Sequence, residues 1–305
     1  MRPIHALVPL VQPHLGRAAT VSAEVRYAPF AMRELPDATP LLHDPAALRE
    51  RFDRDGCLLL RGLIGAESVN DLGGQVLALL SQRGWTSDPP DWADPHAGRF
   101  SYHTDVQRLE AFHALAHDPA LLHIARSLLG EDVFVHPRRL LRTIWPLTRE
   151  LTTPPHQDFL YIRGAAETLT VWVPLGACPR EQGGLRVLLG SHRAGELPIH
   201  LYEDSFARFG VAVAEDDPRW ATTDYAAGDA LAFHSFAVHS ALPNCSGPVR
   251  LSVDYRYQST ATPVAWRSLR PAEYPGIPDW PELLAGVPWS SERWLSLPES
   301  VRVVD

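Results

Sequence analysis

The spacing of apolar residues divides the chain into a helical first part and a strand-rich second part. Up to about residue 43 the chain is predicted to be extended and to lie on the surface. The elements that follow are a helix over 45–54, a strand over 57–63, a helix over 66–83, a polar loop over 85–98, and helices over 105–117 and 119–129. Asp44 is the expected N-terminal cap of the first of these helices, and Gly130 ends the last one.

From residue 132 to 258 short apolar runs alternate with Pro and Gly turns, a pattern typical of antiparallel sheets. The predicted strands cover 132–136, 139–145, 156–162, 168–175, 185–189, 229–234 and 249–257. Helices that precede strands, without βαβ alternation, favour an α+β fold whose core is a jelly roll, that is, a cupin-like double-stranded β-helix. The Pro- and Trp-rich tail, 261–305, is expected to pack on this core and to hold a short helix near 279–285. We expect one domain over 1–305.

Composition excludes several functions. The net charge is −8 and there is no long basic run, so nucleic acid is not an expected partner. No apolar stretch approaches the roughly 18 residues that span a bilayer, and the N-terminus is a poor signal peptide. Cys57, Cys178 and Cys245 are far apart, which fits a reducing cytoplasm better than a disulfide framework. The chain contains no lysine, which excludes Schiff-base chemistry and a P-loop.

The stretch PHQDFLY, 155–161, holds a candidate metal site. In a strand, residues i and i+2 share a face, so His156 and Asp158 are expected to project together. One imidazole and one carboxylate are two of the three ligands in the facial triad of non-haem iron enzymes. By itself a His-x-Asp is more often structural. The chain has a second His-x-Asp at 103–105, and its Asp105 is interpreted as a helix cap.

The motifs that follow make the metal interpretation specific. A strand, LTVWVPL at 169–175, precedes a GGL turn at 183–185 and GSH at 190–192. GDALAF at 228–233 leads to His239, and Arg250 follows that histidine by eleven residues. The order HQD, W-x-P-L, GGL-x-V-x-x-GSH, GD-x-L-x-F and H-x(10)-R-x-S resembles the phytanoyl-CoA dioxygenase family over about 132–258, and more loosely back to the strand at 57.

The resemblance implies Fe(II) held by His156, Asp158 and His239, with 2-oxoglutarate as co-substrate and O2 as oxidant. It also implies that Arg250 binds the C5 carboxylate of 2-oxoglutarate, for which the guanidinium offers a two-pronged donor. Ser252 shares the strand face of Arg250 and is expected to donate a second hydrogen bond to that carboxylate. Related halogenases replace the metal-binding carboxylate, so the presence of Asp158 favours hydroxylation over halogenation.

Several assignments have alternatives. His234 competes with His239 for the third ligand position, and the spacing to the arginine favours His239. Trp172 matches a family tryptophan near the co-substrate and is equally explained as a core residue. Arg139 and Thr143, on the strand before the His-x-Asp, are candidate co-substrate contacts. Arg138 and Arg142 on the opposite face are the alternatives to that pair.

The expected reaction is hydroxylation of an unactivated C–H bond in a small organic molecule, an amino acid or secondary metabolite, with succinate and CO2 as co-products. The same iron chemistry can give desaturation, ring formation or demethylation. The alternative is a non-catalytic jelly-roll protein that binds a metal or ligand, but such a protein does not need all three ligands and the arginine. The expected assembly is a monomer or homodimer.

Overall fold

The computed structural model describes residues 32–85, 101–146, 152–203, 209–271 and 278–305, with only the backbone of 101–103. Most of the predicted surface segment and of the loop over 85–98 lies outside these ranges. The helices are α1 (Pro45–Asp55), α2 (Ala66–Gln82), α3 (Ser101–Val106), α4 (Glu110–Leu115), α5 (Pro119–Leu129), α6 (Phe159–Ile162), α7 (Trp280–Leu283) and α8 (Glu292–Leu295).

The strands form two facing sheets and two small pairs. They are β1 (Arg33–Glu34), β2 (Cys57–Leu60), β3 (Val133–Val135), β4 (Leu140–Ile144), β5 (Leu169–Pro174), β6 (Leu185–Leu188), β7 (His200–Leu201), β8 (Phe209–Gly210), β9 (Trp220–Thr222), β10 (Ala230–His234), β11 (His239–Ala241), β12 (Arg250–Ser259), β13 (Val264–Ala265) and β14 (Val303–Val304). The larger sheet has the order β2-β10-β5-β12-β3, with β4 also paired to β12, and the smaller sheet has the order β1-β9-β6-β11.

Alternation along the strands gives the larger sheet two distinct faces. On its outer face, side chains such as Val171, Val253 and Tyr255 join the apolar sides of α1, α2 and α5 in one buried cluster. On its inner face, Trp172 and Phe233 pack against apolar residues of the smaller sheet. The helices therefore cover one side of the larger sheet, and the space between the sheets is the interior of the jelly roll. The predicted α+β double-stranded β-helix is confirmed.

The predicted caps of the N-terminal helices are correct: Asp44 is the N-cap of α1, and Gly130 ends α5. The carboxylate of Asp44 accepts a hydrogen bond from the Ala47 amide at 3.0 Å, and Gly56 ends α1 with a left-handed φ of 76°. The predicted helix over 105–117 is wrong in one respect, because it is split into α3 and α4. The side chain of Gln107 is buried at the break and donates to the Arg139 carbonyl at 3.0 Å. Asp105 lies within α3, and its carboxylate pairs with Arg83 at 2.6 Å instead of capping a helix.

The predicted strand over 156–162 is also wrong. Only His156 pairs, through an isolated antiparallel bridge to His239, and the next residues turn into α6. The Tyr161 and Ile162 amides donate to the Asp158 carbonyl at 2.9 and 3.0 Å, which closes this turn. A short apolar run such as FLYI has no periodicity that separates a strand from one helical turn.

The described part of the tail contacts the helices and the β4 region. The indole N–H of Trp289 donates to the Arg108 carbonyl at 3.1 Å, and the Arg139 guanidinium donates to the Trp294 carbonyl at 2.6 Å. The predicted helix near 279–285 corresponds to α7, and α8 was not predicted. Within the described ranges, none of the helices is long and apolar enough to cross a membrane.

Candidate metal centre

Two histidines and one aspartate converge inside the jelly roll. Asp158 Oδ1 lies 3.8 Å from His156 Nε2 and 3.8 Å from His239 Nε2. One ligand atom from each residue lies within 4.8 Å of the others, and all three side chains are buried. Two imidazole nitrogens and one carboxylate oxygen on one side of a common point are the donor set of a non-haem iron centre with open positions.

The backbone bridge between His156 and His239 orients both imidazoles. Each residue donates its amide to the other's carbonyl at 3.0 Å, so the rings lie side by side with centroids 4.1 Å apart. Nδ1 of His156 bonds the Pro154 carbonyl at 2.8 Å, and Nδ1 of His239 bonds the Ala237 carbonyl at 3.0 Å. A carbonyl only accepts, so Nδ1 carries the hydrogen and Nε2 keeps its lone pair for a metal.

The Nε2 atoms fit a metal better than an apolar core. His156 Nε2 is buried and has no hydrogen-bond partner in the described part of the chain. Burial lowers the pKa of both His156 and His239, so both rings are neutral at ordinary pH. A buried lone pair without a donor costs free energy unless a ligand fills the position. The residues present therefore fit a divalent metal ion.

Asp158 reaches the site from the start of α6, and its second oxygen is held by the larger sheet. Oδ2 accepts from Thr170 Oγ1 at 2.6 Å and from Arg256 Nη2 at 3.1 Å. Burial by itself raises the pKa of Asp158, but the Arg256 guanidinium, the nearby imidazoles and the Thr170 bond outweigh it and hold that pKa well below its usual range. Asp158 is thus an anionic donor with Oδ1 facing the histidines.

His234 does not take part in this group. It lies at the end of β10, where its Nδ1 accepts from the Phe236 amide at 3.0 Å and its ring lies 5.4 Å from that of His192. Burial lowers the pKa of His234 to about 4. The geometry therefore favours His239 over His234 as the third donor.

Arg250 and Ser252 lie on the inner face of β12. The Arg250 guanidinium is 2% exposed, donates from Nε to the Gly183 carbonyl at 3.0 Å, and bonds the Ser252 hydroxyl through Nη1. Gly183 has a φ of 87°, and a Cβ there would lie 2.7 Å from the Leu242 carbonyl oxygen. The turn that brings the Gly183 carbonyl to Arg250 therefore needs glycine at this position. Among the described residues no carboxylate forms an ion pair with Arg250, which leaves a buried cation without a counter-ion.

Trp172 is a core residue that packs beside Arg250. Its ring packs at 4.7 Å from that of Tyr225, and the Arg250 guanidinium carbon lies 5.7 Å from its ring centroid. The Trp172 indole N–H is buried without a partner in the described residues and faces the same interior as Arg250. Trp172 is therefore a core residue that lies beside Arg250, and its contact with a co-substrate stays a prediction.

Arg139 and Thr143 do not reach the site, and this expectation is corrected. Residues paired across strands share a face, and Thr143 pairs with Leu251, which packs under the helices. Arg139 bonds His113 Nδ1 and the Trp294 carbonyl, the latter at 2.6 Å. The alternative residue Arg142 pairs with Ser252 and so lies on the inner face.

The sequence interpretation missed Thr170, Asp254 and Arg256. Asp254 forms an ion pair with Arg142, with Oδ2 2.7 Å from Nε, and Arg256 contacts Asp158 as described above. The signal was available in the alternation along β12, because residues 250, 252, 254 and 256 share one strand face. The same parity brings Thr170 and Trp172 to the inner face of β5.

A jelly roll whose interior presents two histidines, one aspartate and a buried, unpaired arginine defines a non-haem iron oxygenase. A profile of the phytanoyl-CoA dioxygenase family matches residues 52–252. The chain is 31% identical to the 1-deoxypentalenic acid 11-beta-hydroxylase of Streptomyces arenae over an alignment of 267 residues, and the match covers 81% of this chain and 89% of that protein. It is 26% identical to the ectoine dioxygenase of Nocardia farcinica (strain IFM 10152) over an alignment of 243 residues, and that match covers 73% of this chain and 81% of the other.

Among solved structures, the fold is similar to that of the epimerase SnoN in complex with Fe3+, alpha ketoglutarate and nogalamycin RO. The TM-score is 0.54 at 23% identity, and the match covers 72% of this chain and 86% of the other, a likeness that concerns the fold alone. The chain belongs to the phytanoyl-CoA dioxygenase family, as the order of its motifs predicts. It is an enzyme of the non-haem iron, 2-oxoglutarate-dependent class.

Proposed function

We propose that the protein hydroxylates an unactivated C–H bond of a small organic molecule, an amino acid or secondary metabolite. The observation that carries the proposal is the group His156, Asp158 and His239 inside a jelly roll whose inner face also holds the unpaired Arg250. When bound there, Fe(II) supplies, with 2-oxoglutarate and O2, the oxidising chemistry that such a bond requires, and succinate and CO2 are the co-products.

Each residue of the group has a defined task. His156 and His239 would hold Fe(II) through Nε2, since their Nδ1 hydrogens are bonded to backbone carbonyls. Asp158 would hold it through Oδ1, since Oδ2 already accepts from Thr170 and Arg256. Three protein donors on one side leave the other positions for a chelating 2-oxoacid and O2.

The co-substrate carboxylate would bind Arg250. A buried guanidinium without an ion-pair partner in the described chain is stabilised by an anion, and its two-pronged donor matches a carboxylate. Ser252 accepts from Arg250, so its own hydroxyl hydrogen is available to the same anion. The partnerless indole N–H of Trp172 is a third donor toward this space.

Two observations favour hydroxylation. The carboxylate of Asp158 is present, which favours hydroxylation over halogenation, and the relative with 31% identity is named a hydroxylase. Desaturation, ring formation and demethylation on the same site remain second outcomes of a product assay. A purely ligand-binding role is disfavoured, because such a protein does not need three candidate metal donors and a buried arginine without an ion-pair partner among the described residues.

The test separates the metal site from the substrate. Under anaerobic conditions, Fe(II) followed by 2-oxoglutarate should give a visible metal-to-ligand charge-transfer band in wild type and none in His239→Ala. The matched control is His234→Ala, which removes a half-buried histidine five residues away and should keep the band. Candidate substrates are then screened with O2 for succinate release and a product heavier by one oxygen atom. A folded wild type without the band would overturn the proposal.

A further inference from the structure

Asp158 differs from the two histidines in what fixes its direction. Backbone carbonyls within two residues fix His156 and His239 at Nδ1. Asp158 stands at the N-cap of α6, where a carboxylate ordinarily accepts from the first amides of its own helix. Its side chain makes no such bond. The orientation of this carboxylate therefore depends on groups from elsewhere in the fold.

Those groups come from the two central strands of the larger sheet. Thr170 and Arg256 are cross-strand partners on β5 and β12. Thr170 Oγ1 donates to Asp158 Oδ2 at 2.6 Å, and Arg256 donates to the same oxygen from Nη2 at 3.1 Å and from Nε at 3.3 Å. The three side chains belong to residues that are 0%, 2% and 1% exposed. All of these donors converge on Oδ2, and Oδ1 is left facing the histidines.

We propose that Arg256 and Thr170 are positioning residues that keep Asp158 a one-oxygen ligand, with Oδ1 directed at the metal and Oδ2 held away from it. This inference rests on the proposed function of the site. A carboxylate with both oxygens free can bind a metal through both and so occupy a position that the 2-oxoacid or O2 needs. It can also turn back to cap its own helix. The two donors from the sheet prevent both arrangements.

The sign of the effect on metal affinity separates positioning from simple charge repulsion. Arg256 is a cation next to a cation site, so removal of its charge alone should strengthen binding of a divalent metal. Loss of a positioning partner should weaken it, by about 10- to 100-fold for partners of this kind. Thr170 is neutral, so Thr170→Val removes its hydrogen bond with little change in shape and no change in charge.

The experiment is a Co(II) titration of metal-free, full-length protein, followed by visible d–d absorption, whose intensity reports the number of ligands. Arg256→Met and Thr170→Val should lower Co(II) affinity by about 10- to 100-fold and change the band intensity, and Arg256→Lys should recover part of the affinity. The matched control is Thr168→Val, at the residue directly before β5, which is as buried as Thr170. Its hydroxyl donates to the Ala165 carbonyl at 2.9 Å and does not contact Asp158.

The outcomes are distinct. If folded wild type does not bind Co(II), or binds it equally after His239→Ala, the proposed function fails. If wild type binds Co(II) at the triad, but Thr170→Val and Arg256→Met bind it as well or better with an unchanged spectrum, the positioning role is overturned and the proposed function stands. If Arg256→Met does not fold, as judged by circular dichroism, the Co(II) affinities of Thr170→Val and Thr168→Val decide the question. A lower affinity in Thr170→Val alone supports the positioning role, and equal affinities overturn it.

Discussion

Arg250→Met should sharply weaken 2-oxoglutarate binding without unfolding the chain. The guanidinium is 2% exposed and is held from two sides, by the Gly183 carbonyl at 3.0 Å and by the Ser252 hydroxyl. A carboxylate that binds there loses its water, so removal of the cation leaves a desolvated anion. Truncation of one partner of such a pair costs about 2–5 kcal/mol. At about 1.4 kcal/mol per tenfold, this is about 30- to 4,000-fold in Kd.

The assay is an anaerobic titration of 2-oxoglutarate at saturating Fe(II), read from the charge-transfer band or by calorimetry. Arg139→Met is the matched control, because Arg139 is an equally buried arginine next to β4 that bonds the Trp294 carbonyl at 2.6 Å, away from the metal group. It should lose stability and keep its 2-oxoglutarate affinity. Arg250→Lys should be intermediate, since it restores the charge but not the two-pronged geometry.

One result would refute this reasoning. If Arg250→Met is folded, binds Fe(II) and keeps the wild-type affinity for 2-oxoglutarate, the co-substrate carboxylate does not pair with Arg250. The other inner-face arginine on that side, Arg142, would then be the next residue to test, although Asp254 already pairs with it at 2.7 Å.

Three further outcomes are expected. Asp158→Ala should abolish hydroxylation while the fold persists, and retained turnover would contradict the assigned metal group. Gln157→Leu should lower the free energy of unfolding in urea by about 1–3 kcal/mol for each buried backbone group left unpaired, because the Gln157 amide bonds two carbonyls and one N–H. Burial lowers the pKa of His113 and of His136 to about 3, from about 6.5 in the unfolded chain. Their stabilising contribution is therefore full above pH 6.5 and is lost as the pH falls, by about 2 kcal/mol each at pH 5. Urea unfolding at pH 7 and pH 5 measures this loss, and it should shrink in His113→Gln.

The convergence of His156, Asp158 and His239 was predictable because these residues lie in motifs of fixed order, but the strand geometry predicted for His156 and Asp158 was wrong. Strand parity predicts that His156 and Asp158 project together. In the structure they do so because a single bridge fixes His156 and a helical turn carries Asp158. The short run FLYI fits either structure, so periodicity alone could not choose between them.

The prediction that Arg139 and Thr143 contact the co-substrate was wrong for a different reason. Polar residues occur on both faces of β4, so the sequence does not reveal which face is inward. The pairing of Arg142 with Ser252, and of Thr143 with Leu251, decides it. Such a register joins residues more than a hundred positions apart, and local sequence does not contain it. Once β12 is known to carry Arg250 inward, its alternation brings Asp254 and Arg256 to the same side.

The charges on the inner face explain why Arg250, rather than another arginine, is open to a ligand. Arg142 is neutralised by Asp254, and Arg256 by Asp158, at 2.7 and 3.1 Å. Within the described chain, Arg250 has no such partner and lies six residues before Arg256 on the same strand, a Cα separation of about 20 Å. A buried cation without a counter-ion is costly. The fold retains this cost at the start of β12, and an anionic ligand that pairs with Arg250 would remove it.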